Sequence, residues 1–249
     1  MQELVSIITP LYNAEKYVQK TADSVFSQTY QNWEWIIVDD CSKDDSLEVV
    51  KSFNDPRVRI LRNEKNKGVV DTRNFALENV KGEFVAFLDS DDYWSSDKLE
   101  KQVSFMKEKG LALSFHSYQK FYDDGKMGQV IQATPSVDYK KMLNSNFIGC
   151  LTCMVKADKI GDLQMINGYK AREDWIFWLN ILKNSNSTAY SLPDVLAFYR
   201  IAENSLSSRK FEMIKEQYRV YREVLKMNFP ETIYYLTRYL SIGFRKYIK

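Results

Sequence analysis

The sequence predicts an α/β fold built on a mostly parallel sheet, and three observations carry that prediction. Continuous apolar runs at Leu4–Thr9, Trp35–Val38 and Phe84–Leu88 have the pattern of strands buried on both faces. Between them lie segments of about ten residues with helical apolar spacing, so strand and helix alternate as in βαβ units. The second and third runs close on acids, Asp39-Asp40 and Asp89-Ser90-Asp91-Asp92. Those positions are the carboxyl ends of strands, where open α/β sheets bind ligands.

The elements follow in order. The first strand stops at Pro10, and Val18, Thr21, Ala22, Val25 and Phe26 then recur on one helical face. After the second strand, Ser42-Lys43-Asp44-Asp45 has the composition of a helix start and leads into Leu47, Val50 and Phe53. Val58–Leu61 is a short strand, Val69–Val80 a helix, Phe84–Leu88 a strand and Lys98–Glu108 a helix. Leu111–Tyr122 is extended and aromatic, and Asp123-Asp124-Gly125-Lys126 turns it into a hairpin. Phe147–Val155 is predicted extended, and Trp175, Trp178, Leu179 and Leu182 form a helical stripe just after Glu173-Asp174. Val195–Arg200 is the last strand. Two amphipathic helices close the chain, one through Phe211, Ile214, Tyr218, Tyr221 and Leu225, the other through Ile233, Leu236, Leu240 and Phe244, with Asn228-Phe229-Pro230 between them. No repeat or low-complexity linker interrupts the pattern, so the expectation is one domain, 1–208, with a helical extension, 209–249.

Composition fits an ordinary soluble globular protein: 249 residues, 45% hydrophobic and 27% charged. Met1-Gln2-Glu3 lacks the basic start of a signal peptide, and no run approaches the ~18 apolar residues of a membrane span. Cys41, Cys150 and Cys153 are too few for a disulfide framework, so a reducing cytoplasm is expected. Net charge is +2, unevenly spread: residues 209–249 carry ten Lys/Arg and four Asp/Glu, +6, leaving −4 for 1–208.

One acidic cluster after a strand is an ordinary turn or cap. Two on one sheet edge bring carboxylates together, and these repel unless a cation or hydrogen-bonded ligand offsets them. A divalent metal bound through oxygens, Mg2+ or Mn2+, is the simplest resolution at this level.

At these residues the sequence resembles the inverting glycosyltransferases of family 2. The resemblance runs from about Leu4 to Ser208 and is carried by Val5–Asn13, Ile36–Asp44, Asn66-Lys67-Gly68, Arg73-Asn74, Phe87–Asp92 with its DxD motif, Arg172–Trp175 and Tyr199-Arg200. It implies the GT-A fold, a Rossmann-like central sheet flanked by helices. It implies a nucleotide-sugar donor, most often of uridine, and a saccharide or lipid-linked saccharide acceptor in bacterial surface-polysaccharide assembly. Carried over by position, Pro10, Tyr12 and Asn13 lie beside base and ribose, and Asp39 hydrogen-bonds the base. Asp40, Asn66 and Gly68 fall with the nucleotide-binding residues, while Arg73 and Asp89 flank ribose and donor sugar. Asn74 and Asp92 are donor-sugar contacts. Asp91, with Asp89, holds a Mn2+ or Mg2+ ion, and Asp174 is the general base, with Glu173 its neighbour. Many members place a His beyond the Tyr-Arg pair; here Ile201-Ala202-Glu203-Asn204-Ser205 has none, and Glu203 or water is left to complete the metal shell.

Other features have blander explanations. Cys150 and Cys153, three apart in an extended segment, would point to opposite faces and act as packing residues. His116, the only histidine, sits in an aromatic strand and is expected to be structural. The basic, tyrosine-rich tail suits either two packed helices with solvated cations or peripheral contact with a membrane surface. A homo-oligomer is compatible with the sequence, whereas nucleic acid would be repelled by the acidic sheet edge. A sugar nucleotidyltransferase is disfavoured because Pro10–Ala14 is no Gly-rich basic loop. A non-catalytic binding module is disfavoured by the presence of Asp91 and Asp174. A dehydrogenase would need G-x-G-x-x-G after a strand, which is absent.

Overall fold

The computed structural model describes residues 3–202 and 210–248. Its strands are β1 Val5–Leu11, β2 Trp33–Asp39, β3 Val58–Arg62, β4 Phe84–Phe87, β5 Tyr93–Trp94, β6 Leu113–Phe121, β7 Met127–Ile131, β8 Ser136–Val137, β9 Met154–Lys156 and β10 Ala189–Arg200. Its helices are α1 Val18–Phe26, α2 Ser46–Lys51, α3 Val69–Leu77, α4 Lys98–Lys109, α5 Tyr139–Met142, α6 Ala157–Ile160, α7 Glu173–Ser185, α8 Lys210–Arg219 and α9 Phe229–Ile248. One sheet runs in the order β3-β2-β1-β4-β9-β6-β10-β5, with β7 beside β6 and β8 beside β10. The half from β3 to β4 is parallel, and β9 then enters antiparallel to both β4 and β6.

Continuous apolar runs became strands because helices cover both faces of the sheet. Val5, Ile7, Trp35 and Ile37 pack in one layer with residues of α1, α2 and α4. Ile8, Ile36, Val38 and Phe87 pack in the other with α7, and Val220 and Tyr221 of the C-terminal extension belong to the same cluster. Ser6 breaks the run and earns its burial by hydrogen bonding: its hydroxyl donates to Glu34 Oε1 at 2.6 Å and accepts from Gly82 N at 2.9 Å. Gly82 lies so close to β1 that a Cβ there would stand 2.5 Å from Leu4 O and 2.7 Å from Ser6 N. Gly82→Ala is expected to cost about 2–3 kcal/mol and lower Tm by roughly 4–10 °C in a thermal melt.

The sequence expectations hold for the main elements, with two corrections. The segment Phe147–Val155 is not extended throughout: Cys150–Thr152 is a 3-10 turn, in which Gly149 O accepts from Thr152 N and from its hydroxyl. Cys150 therefore opens a turn and Cys153 follows it, rather than the two alternating along a strand. The last strand is longer than Val195–Arg200, beginning at Ala189 with register shifts between Leu192 and Ala197. At the C-terminus α8 widens into a π-helical turn, Val220–Val224. Helix α9 then starts from a reciprocal cap, in which Asn228 Oδ1 accepts from Glu231 N and Glu231 Oε2 from Asn228 N.

In register, Leu11 of β1 lies opposite Asp39 of β2, and Ile8 opposite Phe87 of β4. The loops that follow these strands consequently leave the sheet along one edge, and both acidic clusters are delivered there.

Candidate active site

That edge opens into a cleft of about 390 Å³. Pro10, Tyr12 and Asn13 line it from the end of β1, Asp40 from just beyond β2, Asn66 and Gly68 from the loop before α3, and Asp89 and Asp91 from beyond β4. Tyr17 and Arg200, to which the sequence had given no role, complete the wall. Tyr12 presents its ring 43% exposed.

The loops are fastened to one another before any ligand arrives. Asn13 takes a left-handed conformation, φ +49°. Its Oδ1 accepts from Lys43 N at 2.8 Å and its N–H donates to Ser42 Oγ at 3.2 Å, stitching the β1 loop to the β2 loop. Asp40 accepts from Asn63 Nδ2 at 2.7 Å and from the N–H groups of Lys67 and Gly68 at 2.8 Å each. Gly68 sits at φ +86°, a conformation that glycine adopts without strain. Asp39 is fully buried, with Oδ1 accepting from Ser42 N and Oδ2 3.0 Å from Arg62 Nε, and its side chain is not part of the cleft wall.

The carboxylates expected to repel one another are largely offset by arginines. Arg73 Nη2 lies 2.6 Å from Asp89 Oδ1, Arg62 serves Asp39, and Arg200 Nη1 lies 3.3 Å from Asp91 Oδ2. Asp92 is buried; its Oδ1 accepts from Arg200 N at 2.8 Å, while Oδ2 has no partner among the described residues. Burial and the charges of neighbouring aspartates push both Asp91 and Asp92 up in pKa. Arg200 itself is clasped: its guanidinium stacks 3.6 Å from the Tyr17 ring centroid, donates to Tyr17 Oη at 2.5 Å, and grips both oxygens of Asp123 on the β6–β7 turn at 2.6 Å.

A divalent cation fits this site in a limited way. Among the described residues no three His, Cys, Asp or Glu side chains cluster to hold a metal by themselves. Asp91, however, offers a carboxylate 38% exposed at the cleft wall. One or two carboxylates completed by substrate phosphate and water is the usual Mg2+ arrangement. Glu203, Asn204 and Ser205, where a further ligand was sought, lie outside the described residues.

The other half of the site begins where α7 starts. Glu173 Oε1 lies 3.8 Å from Arg73 Nη1, so Arg73 joins Asp89 on the cleft side to Glu173 on the helix side. Asp174 Oδ1 accepts from Trp175 N at 2.7 Å, and its Oδ2 accepts from Asn146 Nδ2 at 2.9 Å. Burial, followed by the charge of Glu173, raises its pKa to about 6, against the lowering effect of Arg73 and these hydrogen bonds. Asn74 is committed elsewhere, its amide donating to Met165 O and accepting from Met165 N.

The bland readings survive. Cys150 and Cys153 are free thiols, and burial pushes both up in pKa, which suppresses thiolate reactivity. His116 is buried with Nδ1 2.8 Å from Ser117 O; burial and then the charge of Lys98 lower its pKa to about 3, so the ring is neutral.

The model of glycosyl transferase family 2 matches residues 6–157. Over 246 residues the chain is 41% identical to TuaG of Bacillus subtilis, named for teichuronic acid biosynthesis, covering 98% of this chain and 97% of that protein. It is 37% identical over 248 residues to WfgD of Escherichia coli, covering 98% and 95% of the two chains; WfgD is named a UDP-Glc:alpha-D-GlcNAc-diphosphoundecaprenol beta-1,3-glucosyltransferase. TarS of S. aureus, solved in complex with UDP-GlcNAc, superposes with a TM-score of 0.74 at 22% identity, covering 95% of this chain and 71% of that one. The mannosyltransferase PcManGT of Pyrobaculum calidifontis, solved with GDP-Man and Mn2+, gives 0.71 at 16% identity, covering 96% and 69%. At such identities these two likenesses speak to the fold alone.

Proposed function

This chain belongs to glycosyl transferase family 2 and transfers a sugar from a nucleotide sugar, and we propose that the donor is a UDP-sugar, the acceptor a lipid-linked saccharide, and the sites those just described. The observation that supports this reading most is the Asp89–Arg73–Glu173 chain of ion pairs, which ties a nucleotide-sized cleft to the carboxylate pair opening α7. One relative supports the substrates: WfgD takes UDP-Glc and a diphosphoundecaprenol acceptor by its name. Residues 1–208 form the catalytic domain in this reading, and 209–249 an extension beside it. Work on a lipid-linked acceptor would bring the protein to the inner face of the cell membrane.

In this reading Tyr12 stacks on the base with Pro10 and Asn13 beside it, and Asp39 is the base acceptor, which its pairing with Arg62 would have to release. Asp40, Asn66 and Gly68 shape the ribose side. Asp89, fixed by Arg73, orients ribose and donor sugar. Asp91 would hold a Mn2+ or Mg2+ ion, whose chemistry is Lewis-acid stabilisation of negative charge on a leaving diphosphate. Arg200 adds a fixed positive charge at the same wall. Asp174 accepts the proton of the acceptor hydroxyl as that oxygen bonds to the anomeric carbon and the bond to the diphosphate breaks.

With the base and the diphosphate site on opposite sides of the donor sugar, attack is in line and inverts the anomeric centre. NMR of the product is expected to show the anomer opposite to that of the donor; a retained configuration would remove Asp174 from the role of base. The reading as a whole is tested by thermal shift against nucleotides and nucleotide sugars, with and without Mn2+. A uridine diphosphate sugar at 100 times its Kd is expected to stabilise the fold by about 2.7 kcal/mol. Absence of a shift from every nucleotide diphosphate in the presence of Mn2+ would overturn it.

A further inference from the structure

The apolar surface of helix α9 is wider than the part the fold covers. Tyr235 and Leu236 pack on the core layer that contains α7, and Thr232 is buried. Next to them around the helix, on the side of Leu236, Phe229, Ile233, Leu240 and Phe244 stand 61%, 40%, 41% and 68% exposed. At 100° per residue these four fall within an arc of about 60°, a continuous stripe along the helix. Phe211 of α8 is 90% exposed, and Tyr234 of α9 is 55% exposed. Of the thirteen large hydrophobic side chains exposed among the described residues, seven lie between Phe211 and Phe244. Such concentration marks an interaction surface rather than scattered surface residues.

Charge selects the occupant. The same segment, 209–249, carries ten Lys/Arg against four Asp/Glu, while the rest of the chain is net acidic. Arg222, Lys226 and Arg238 of this segment are exposed. No helix among the described residues is long and apolar enough to cross a membrane. An apolar, aromatic stripe on a basic helix that does not span suits the plane of an anionic bilayer, with rings in the headgroup region and cations against phosphate. A second copy of the chain would bring the same basic surface against itself.

We propose that α9, with Phe211, docks the protein on an anionic lipid surface. Docking is connected to the site. Arg238 Nε donates to Asn144 Oδ1 at 2.5 Å, two residues from Asn146, which holds Asp174. Tyr239 Oη accepts from Arg172 Nη2 at 2.8 Å, immediately before Glu173. The docked helix thus fixes the orientation of the α7 start relative to the bilayer. In its purpose, presenting a lipid-linked acceptor to Asp174, the inference rests on the function proposed above; in its physics it does not.

The test is sedimentation of the full chain with phosphatidylcholine vesicles, with and without phosphatidylglycerol, at low and high salt. The wild type is expected to sediment with the anionic vesicles and to be released by salt. Ile233→Glu with Leu240→Glu should weaken that partitioning by at least about tenfold. Phe229→Ser with Phe244→Ser, at the two most exposed positions of the stripe, should do the same and guards against misfolding. Nucleotide-induced thermal shifts should be unchanged in all variants. No binding of the wild type to anionic vesicles overturns the proposal, as does a wild-type dimer in light scattering that these substitutions dissociate. Vesicle binding without any nucleotide shift would leave the docking surface standing and remove the glycosyltransferase site.

Discussion

Asp174→Asn is expected to lower kcat by about 10²–10⁴-fold while leaving the nucleotide-induced thermal shift intact, because a positioned base contributes on that scale and the residue lies outside the cleft wall. The carboxylate is held from two sides, by Trp175 N and Asn146 Nδ2, so its oxygens are aimed before an acceptor arrives. Burial beside Glu173 raises its pKa to about 6. At neutral pH it is therefore mostly ionised yet far more basic than a surface aspartate, which is what a general base requires. The wild-type kcat should fall about tenfold per unit as pH drops below about 6, and the variant should lose that limb. The same shift has a stability sign. A folded-state pKa above the unfolded value means the folded chain binds this proton more tightly. Asp174 thus destabilises the fold at neutral pH by roughly 2–3 kcal/mol, and the penalty disappears as pH falls from about 6 towards 4. A pH–rate profile of wild type and variant decides the matter, and loss of nucleotide binding in the variant would transfer Asp174 to the donor pocket.

Asp91→Asn is expected to lower kcat/KM by about 10³-fold and to abolish the metal-dependent part of the nucleotide thermal shift, the several kcal/mol a Lewis acid supplies being absent. Size is nearly unchanged and the residue is 38% exposed, so the fold should stand. Calorimetric titration of Mn2+ into the protein with UDP present is the direct measurement. Wild-type Mn2+ affinity in the variant would show that the cation is held elsewhere.

The legible and illegible parts of this site differ in kind. Leu4–Thr9, Trp35–Val38 and Phe84–Leu88 announced themselves because burial on both sheet faces demands unbroken apolar runs, and the acids beyond them were placed by strand direction alone. The arginines that offset those acids were not foreseen as partners. Arg200 and Asp91 are 109 residues apart, and an ion pair across that distance leaves no periodicity to detect. A divalent metal was the simplest way to quiet the acidic edge from sequence alone, and Arg62, Arg73 and Arg200 take up part of that charge. Asn146 was missed for the same reason: nothing local marks a side chain that reaches across to Asp174. The 3-10 turn at Cys150–Thr152 was hidden differently, since its apolar residues suit a strand as well, and the Gly149 carbonyl that closes it carries no sequence signature.

The clasp on Arg200 sets a limit on what that side chain can still offer. A guanidinium has five N–H donors. Nε and Nη2 serve Asp123 and Tyr17, and Nη1 reaches Asp91. Among the described residues, one hydrogen on Nη1 is therefore left for a phosphate oxygen while all these partners hold. Whatever draws Asp91 away returns a second hydrogen on the same nitrogen, so two charge-assisted donors face the anion instead of one. Occupancy at Asp91 and affinity for the anion beside it are thereby thermodynamically linked through one nitrogen atom, and linkage of that kind is reciprocal.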